Sequence, residues 1–253
     1  MTEGELLMIP HPPQVRIAPG FRPVLAVLCL LGVSSALTAE DAPDPAAILN
    51  AARMNQSRQS AELTGQLRTA ADKAPFRLTV DNGKITYQFQ DPDQGIVLVL
   101  GNKDSELFER MGGRKSDITP ARYDRPVRQS GITYEDLAMK FLYWPNPKLL
   151  GSDSVRTRAA WKLEMQAPRA TSQYGVARVW VDKQSGALLR VEGFDDSGRL
   201  RRRFEVVSAQ KVDGEWILKQ MRVETFDPST RKVVSRDYLE IDGATVAAPS
   251  PAP

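Results

Sequence analysis

Apolar and polar positions change their spacing several times along this chain, and each change marks an element. Ile48, Leu49 and Ala52 fall at helical spacing, and Asp44-Pro45 ahead of them reads as an N-cap followed by a first-turn proline. Residues 45–56 are therefore expected to form a short amphipathic helix. From Ala61 the pattern shifts, and in Phe76–Phe89 a period of two is clear. That stretch (FRLTVDNGKITYQF) alternates on both sides of Asn82-Gly83, a dipeptide that closes two-residue hairpins. Gly95–Asn102 is a continuous apolar run of strand length, and Glu106–Met111 is expected to pair beside it.

Residues 112–130 break the strand pattern and read as a long loop, with Arg114, Lys115, Arg122, Arg125 and Arg128 against Asp117 and Asp124. A helix is expected next. Thr133 and Asp136 have capping-box spacing, Leu137, Phe141, Tyr143 and Trp144 supply apolar bulk, and Pro145 and Pro147 end it. In the last third, turn clusters at 183–186, 195–198, 211–214 and 227–230 separate β-rich runs. Met221, Val223 and Thr225 oppose Arg222 and Glu224, while Leu200, Phe204 and Val206 oppose Arg201, Arg203 and Glu205. Such alternation with short turns predicts sequential antiparallel strands with one apolar face. Arg202 falls on the opposite face from Arg201 and Arg203 and reads as a strand end at the sheet rim. The expected fold class is α+β, a large curved antiparallel sheet whose apolar face is covered by two helical segments.

The first 39 residues do not belong to that pattern. Val24–Leu37 is uncharged, follows Arg16 and Arg22, and is shorter than the roughly 20 apolar residues of a membrane-spanning helix. It reads as a signal-peptide core, with cleavage after Ala39 or, as a rival, after Ala36. Glu3 and Glu5 are unusual in such a leader, and a start at Met8 gives a conventional one. Leu28 before Cys29 argues against a lipoprotein attachment site. The division is then 1–39 signal peptide, 40–243 one domain, and 244–253 (ATVAAPSPAP) a disordered Pro/Ala tail. Loss of the leader removes two basic and two acidic side chains, so the net charge stays at +3.

That division also decides what chemistry is open. The only His and the only Cys, His11 and Cys29, both lie in the leader. A mature chain without them builds no Ser-His-Asp triad, cysteine nucleophile, Cys/His zinc site or haem attachment. Glu135-Asp136 and Asp195-Asp196 are adjacent acids that read as a helix first turn and a hairpin tip. Asp91–Gly95 lacks the ligands of a calcium loop, and no phosphate-binding glycine loop or nucleophile elbow occurs. No metal, cofactor or catalytic residue is expected. Export and a charge of only +3 argue against nucleic acid.

Residues of the middle and C-terminal regions resemble a known family. Thr133-Tyr134-Glu135-Asp136-Leu137, Trp161-Lys162-Leu163-Glu164-Met165 with Pro168, and Tyr174 leading into Val179-Trp180-Val181-Asp182-Lys183 are similar to the LolA-like, outer-membrane lipoprotein-sorting proteins. Leu189-Arg190-Val191-Glu192, Asp195 with Gly198, and Met221 continue the resemblance, which covers about residues 45–243. It implies a half-open β-barrel with helices over its concave face, and a cavity that accepts lipoprotein acyl chains in the periplasm. The lid arginine of the classical carriers has no counterpart that can be placed here, so the fold transfers better than the cargo.

Together these readings give a non-enzymatic periplasmic carrier, monomeric, whose ligands are lipid or lipoprotein acyl chains and whose partners are transfer proteins of the inner and outer membranes. Ile48, Leu49, Leu137, Phe141 and Trp144 are the expected cavity or lid residues. The alternative is a protein-interaction or envelope-sensing module on the same fold, with the 112–130 stretch against a membrane. A lipid-ester hydrolase is a third.

Overall fold

Period-two alternation dominates the computed structural model, which describes residues 43–57, 60–168 and 172–246. The leader and the last seven residues, including the signal-peptide and cleavage assignments, lie outside the described residues. Helix α1 (Pro45–Ser57) comes first, its Ala46 N–H bonded to Asp44 Oδ1 at 3.0 Å. Six strands follow: β1 (Ala61–Arg68), β2 (Lys73–Asp81), β3 (Lys84–Phe89), β4 (Gln94–Leu100), β5 (Ser105–Met111) and β6 (Arg114–Asp117). After a long connection come β7 (Lys148–Val155), β8 (Arg158–Gln166), β9 (Val176–Asp182), β10 (Leu188–Phe194), β11 (Leu200–Val212), β12 (Glu215–Phe226) and β13 (Val233–Val246).

All thirteen strands form one antiparallel sheet in the order β6-β5-β4-β3-β2-β1-β13-β12-β11-β10-β9-β8-β7. The chain thus makes two meanders stitched together by the pairing of β1 with β13, and the curved sheet stays unclosed, with β6 and β7 at its edges. At the stitch, Thr64-Gly65 forms a bulge, and a Cβ on Gly65 would lie 2.0 Å from the Glu240 carbonyl oxygen. Only glycine allows that approach.

Most apolar side chains of the strands converge on one face and form a large buried cluster with Ile48, Leu49 and Ala52 of α1, while Val155, Ala160 and Trp180 form a smaller, separate one. The other face is also largely covered, by charge. Lys148, Glu164, Arg178, Glu192, Arg203, Glu224 and Arg236 stand opposite one another in register across seven neighbouring strands, from β7 to β13. Arg178 bonds Glu164 at 2.8 Å, Arg203 bonds Glu192 at 2.8 Å, and Arg236 bonds Glu224 at 3.0 Å. In the next row Arg190 and Arg222 flank Glu205 at 2.6 and 3.3 Å. Arginine stems also lie across rings, Arg203 over Phe226 and Arg178 over Phe194, so Glu192, Glu205 and Glu224 are buried on the face whose alternation reads as polar.

Three expectations need correction. The start of the 112–130 stretch is not loop: Gly112 and Gly113, at φ +55° and +78°, turn the chain into β6, which pairs with β5. The helix expected over 133–144 is broken. α2 covers only Tyr134–Ala138, Met139 adopts a left-handed conformation (φ 48°), and Lys140–Tyr143 is a 3-10 turn. Third, Ala244, Thr245 and Val246 are not tail. They complete β13 by pairing with Leu63, Glu62 and Ala61, a partner whose position no local composition reveals.

Candidate ligand-binding face

The connection from β6 to β7 links the two open edges of the sheet, and most of its sequence is spent on holding it in place. Thr133 and Asp136 form the expected capping box: Asp136 Oδ2 accepts from the Thr133 N–H and hydroxyl, both at 2.7 Å, and the Thr133 hydroxyl accepts from the Asp136 N–H. Asp136 is itself a node. Its Oδ1 accepts from the Tyr174 hydroxyl at 2.6 Å, and Arg202 of β11 reaches its Oδ2 at 3.5 Å. Tyr174 can lie flat on β10 because position 193 is glycine; a Cβ there would meet the Tyr174 ring at 2.5 Å. Arg202 therefore points into the apolar side of the sheet, a correction to its reading as a rim residue. The alternation that separates it from Arg201 and Arg203 was the signal.

Two further carboxylates grip the same connection. Glu109 of β5 accepts from Arg122 at 2.6 Å, from Gln94 at 2.5 Å and from the Tyr134 hydroxyl at 2.8 Å. Asp237 of β13 accepts from the Gly131 N–H at 2.5 Å. Ser105 Oγ donates to the Ala138 carbonyl at 2.9 Å, and Lys140 binds Asp104 and the Ser105 carbonyl. None of Glu109, Gln94, Asp237 or Gln173 stood out in the sequence, because isolated polar residues in strands and turns carry no local mark of a buried partner.

The electrostatics of these nodes differ. Burial alone would raise Glu109, but the hydrogen bonds from Arg122, Gln94 and Tyr134 outweigh it and hold the carboxyl below its usual range. Burial, reinforced by Glu109, pushes Tyr134 up to about 12. Around Arg202 burial prevails: Asp136 and Asp237 are both raised, with Arg202 and the donated hydrogen bonds opposing. Glu135 is raised by burial as well. It is 1% exposed, accepts the Gln173 N–H at 2.8 Å on Oε2, and leaves Oε1 without a partner among the described residues. These groups fasten segments together; none is a nucleophile paired with a base. No group of three His, Cys, Asp or Glu side chains arranged to hold a metal occurs among the described residues.

The five expected cavity residues are all buried and share the larger apolar cluster. Ile48 and Leu49 enter it from α1, Leu137 from α2, Phe141 from the 3-10 turn, and Trp144 from its end. α1 lies by β9 and α2 by β5, and Arg53 of α1 stacks over the Tyr143 ring at 5.2 Å. In this state the five pack against protein. None of them lines the open surface cleft of about 550 Å³ bordered by Thr64, Pro75, Arg77, Gln88, Gln90 and Asp242.

An unclosed, curved antiparallel sheet of thirteen strands with few helices is the LolA-like fold. Solved structures bear this out. A domain from Vibrio parahaemolyticus assigned to the outer membrane lipoprotein-sorting proteins has a TM-score of 0.63 at 17% identity, covering 78% of this chain and 91% of that one. A DUF1329 family protein from Desulfovibrio piger gives 0.61 at 19%, covering 81% and 94%. A LolA superfamily protein from Nitrosomonas europaea gives 0.60 at 18%, covering 82% and 95%. The family model described as "Uncharacterized protein" matches residues 107–243, more than half of the chain, and the chain belongs to that family. No curated protein matches it.

Proposed function

We propose that this protein is an exported, non-enzymatic carrier that takes acyl chains of lipids or lipoproteins between the apolar face of the sheet and the helical segments, and moves them toward the outer membrane. One observation carries the reading: the side chains of α1, α2 and the 3-10 turn form a single apolar cluster with the inner face of a sheet that is open along both edges. The assignment of the Vibrio domain to lipoprotein sorting supports it.

The magnitudes allow such an exchange. Burying an acyl chain contributes about 0.8 kcal/mol per methylene, so about 14 methylenes supply about 11 kcal/mol. Ile48, Leu49, Leu137, Phe141 and Trp144 contribute about 1.5–3 kcal/mol each by staying buried against the sheet. The two totals are comparable, so an entering chain displaces the helical segments without a large net cost, and their return expels it. Uptake is then a shift between two packings.

Native mass spectrometry of the protein purified from the periplasm without detergent, followed by solvent extraction, tests the reading. An acylated adduct is expected. A clean apo mass that persists after incubation with lipids and acylated peptides would overturn it and leave a partner-binding module. The double substitution L137D/F141D is expected to abolish uptake of a fluorescent fatty acid while the strand signal in circular dichroism remains. Loss of that signal would make the two residues plain core.

A further inference from the structure

Three half-buried cations beside the apolar face each have an acid: Arg122 has Glu109, Lys140 has Asp104 and Arg202 has Asp136. Arg128, without an acid, is satisfied by the carbonyls of Gln90 and Asp91. Arg53 of α1, also half-buried, has neither kind of partner among the described residues. Its side chain donates from Nη2 to Asn50 Oδ1 at 3.2 Å, while its Nε is buried and bonded to nothing. Arg122 and Arg222 hold a bare Nε as well, but glutamates neutralise both through Nη2. Arg53 follows Ala52 and lies one helical turn beyond Leu49, both members of the apolar cluster. It stacks over the half-buried Tyr143 ring at 5.2 Å, and the neighbours of Tyr143, Leu142 and Trp144, are buried in the same cluster. The unmatched guanidinium therefore sits in the seam between α1 and the 3-10 turn, where the apolar interior meets water.

We propose that Arg53 holds the anionic head group, carboxylate or phosphate, of an acyl ligand whose chain enters the seam beside it; the inference deepens the carrier reading and rests on it. A guanidinium presents a planar fork of donors that matches either anion, and such charge-assisted bonds are stronger than neutral ones. A bare buried N–H is costly until something accepts from it, and an arriving anion supplies the acceptor and the opposite charge together. Burial pushes the Tyr143 hydroxyl up against the opposing pull of Arg53, so the phenol stays protonated and offers a second donor from the other wall of the seam. An amphiphile fits both halves of this place: its chain joins the apolar cluster and its head stays at the boundary with water. The cargo is thereby narrowed. A fatty acid or a phosphate-bearing lipid carries an anion at the end of its chains, whereas the acylated cysteine of a lipoprotein, built from thioether, ester and amide links, carries none.

The test is displacement of the uncharged fluorescent probe N-phenylnaphthylamine from the full mature chain by three ligands of one chain length: hexadecanoic acid, hexadecyl phosphate and methyl hexadecanoate, each below its micelle concentration. Wild type is expected to bind the acid or the phosphate about tenfold more tightly than the ester. R53Q is expected to bind all three as wild type binds the ester, with its strand signal in circular dichroism unchanged. R53K, which keeps the charge and loses the fork, is expected to fall between the two. The order of acid and phosphate in wild type assigns the head group. Equal affinity of wild type for acid and ester would overturn the head-group site and leave the carrier reading standing. R53Q weakening acid, phosphate and ester alike would overturn it too, because that is the mark of a packing role for the Arg53 stem. Failure of the probe and all three ligands to bind wild type strikes the carrier reading, and the site with it.

Discussion

Arg202 shows how one side chain ties sequence to fold. Set among Arg201 and Arg203 in a strand, it is the arginine whose pleat position faces the apolar interior, and there it meets Asp136 at 3.5 Å. A half-buried arginine beside a buried carboxylate contributes little beyond the cost of desolvation, but removing the arginine strands the carboxylate. R202A is therefore expected to cost about 3–5 kcal/mol of stability. The pair replacement R202M/D136N is expected to recover most of it. A thermal or urea melt of the three proteins decides, and equal losses in the single and double variants would mean that Tyr174 and Thr133 already suffice for Asp136. The alternation made Arg202's inward direction legible, but not its partner, because Asp136 lies far away in sequence and reaches it only through the fold.

The segments that carry the expected site were legible to different degrees. α1 appears where its apolar spacing and Asp44 place it, and the hairpin at Asn82-Gly83 turns as that dipeptide requires. The break at Met139 was not legible, since nothing in Leu137–Trp144 forbids a continuous helix; the tertiary contacts of Ala138 and Lys140 with β5 bend the chain there. The proposed movement of α1 can be tested at one contact. A Cβ built on Gly186, in the β9–β10 turn, lies 3.9 Å from Ala51 Cβ, within the span of a disulfide. A51C/G186C, in a chain begun at residue 40 and so otherwise free of cysteine, is expected to block fatty-acid uptake when oxidised and to regain it when reduced. Equal uptake in both states would show that α1 stays in place during binding. Gly186 has φ +69°, so some strain in the variant is expected, and the reduced form is its proper control.

Taken as one cooperative structure, the protein has carboxylates of two kinds, and their balance sets its response to acid. Burial raises Glu135, Asp136 and Asp237 around the connection from β6 to β7. For such groups the folded state holds protons more tightly than the unfolded one, so stability rises as pH falls through their folded values toward about 4. Glu240, held to about 2 by the hydrogen bond from Arg68, works the other way, as does Asp182, where bonds from Arg158 and Ser185 outweigh burial and bring it to about 2. Their contribution is full above the unfolded value and is lost as pH drops from about 4 toward 2. As the pH is lowered, the melting temperature is expected first to rise modestly, as the raised carboxylates take up protons, and then to fall steeply below about pH 4. A monotonic fall from pH 7 would mean that the interior carboxylates are not raised. D237N is expected to flatten the upper part of the curve only.

The alternating charges across β7–β13 work as a spelling check on a sheet assembled from consecutive hairpins. A strand that slips by one residue turns its faces over. A slip by two keeps the faces, and hydrophobic patterning alone would let it pass. Here it does not pass. Moving β12 by two residues along β11 sets Arg203 against Arg222 in one direction, and Glu205 against Glu224 in the other. The outer face thereby encodes one alignment independently of what happens inside, and the frame keeps its spelling while the contents of the interior change.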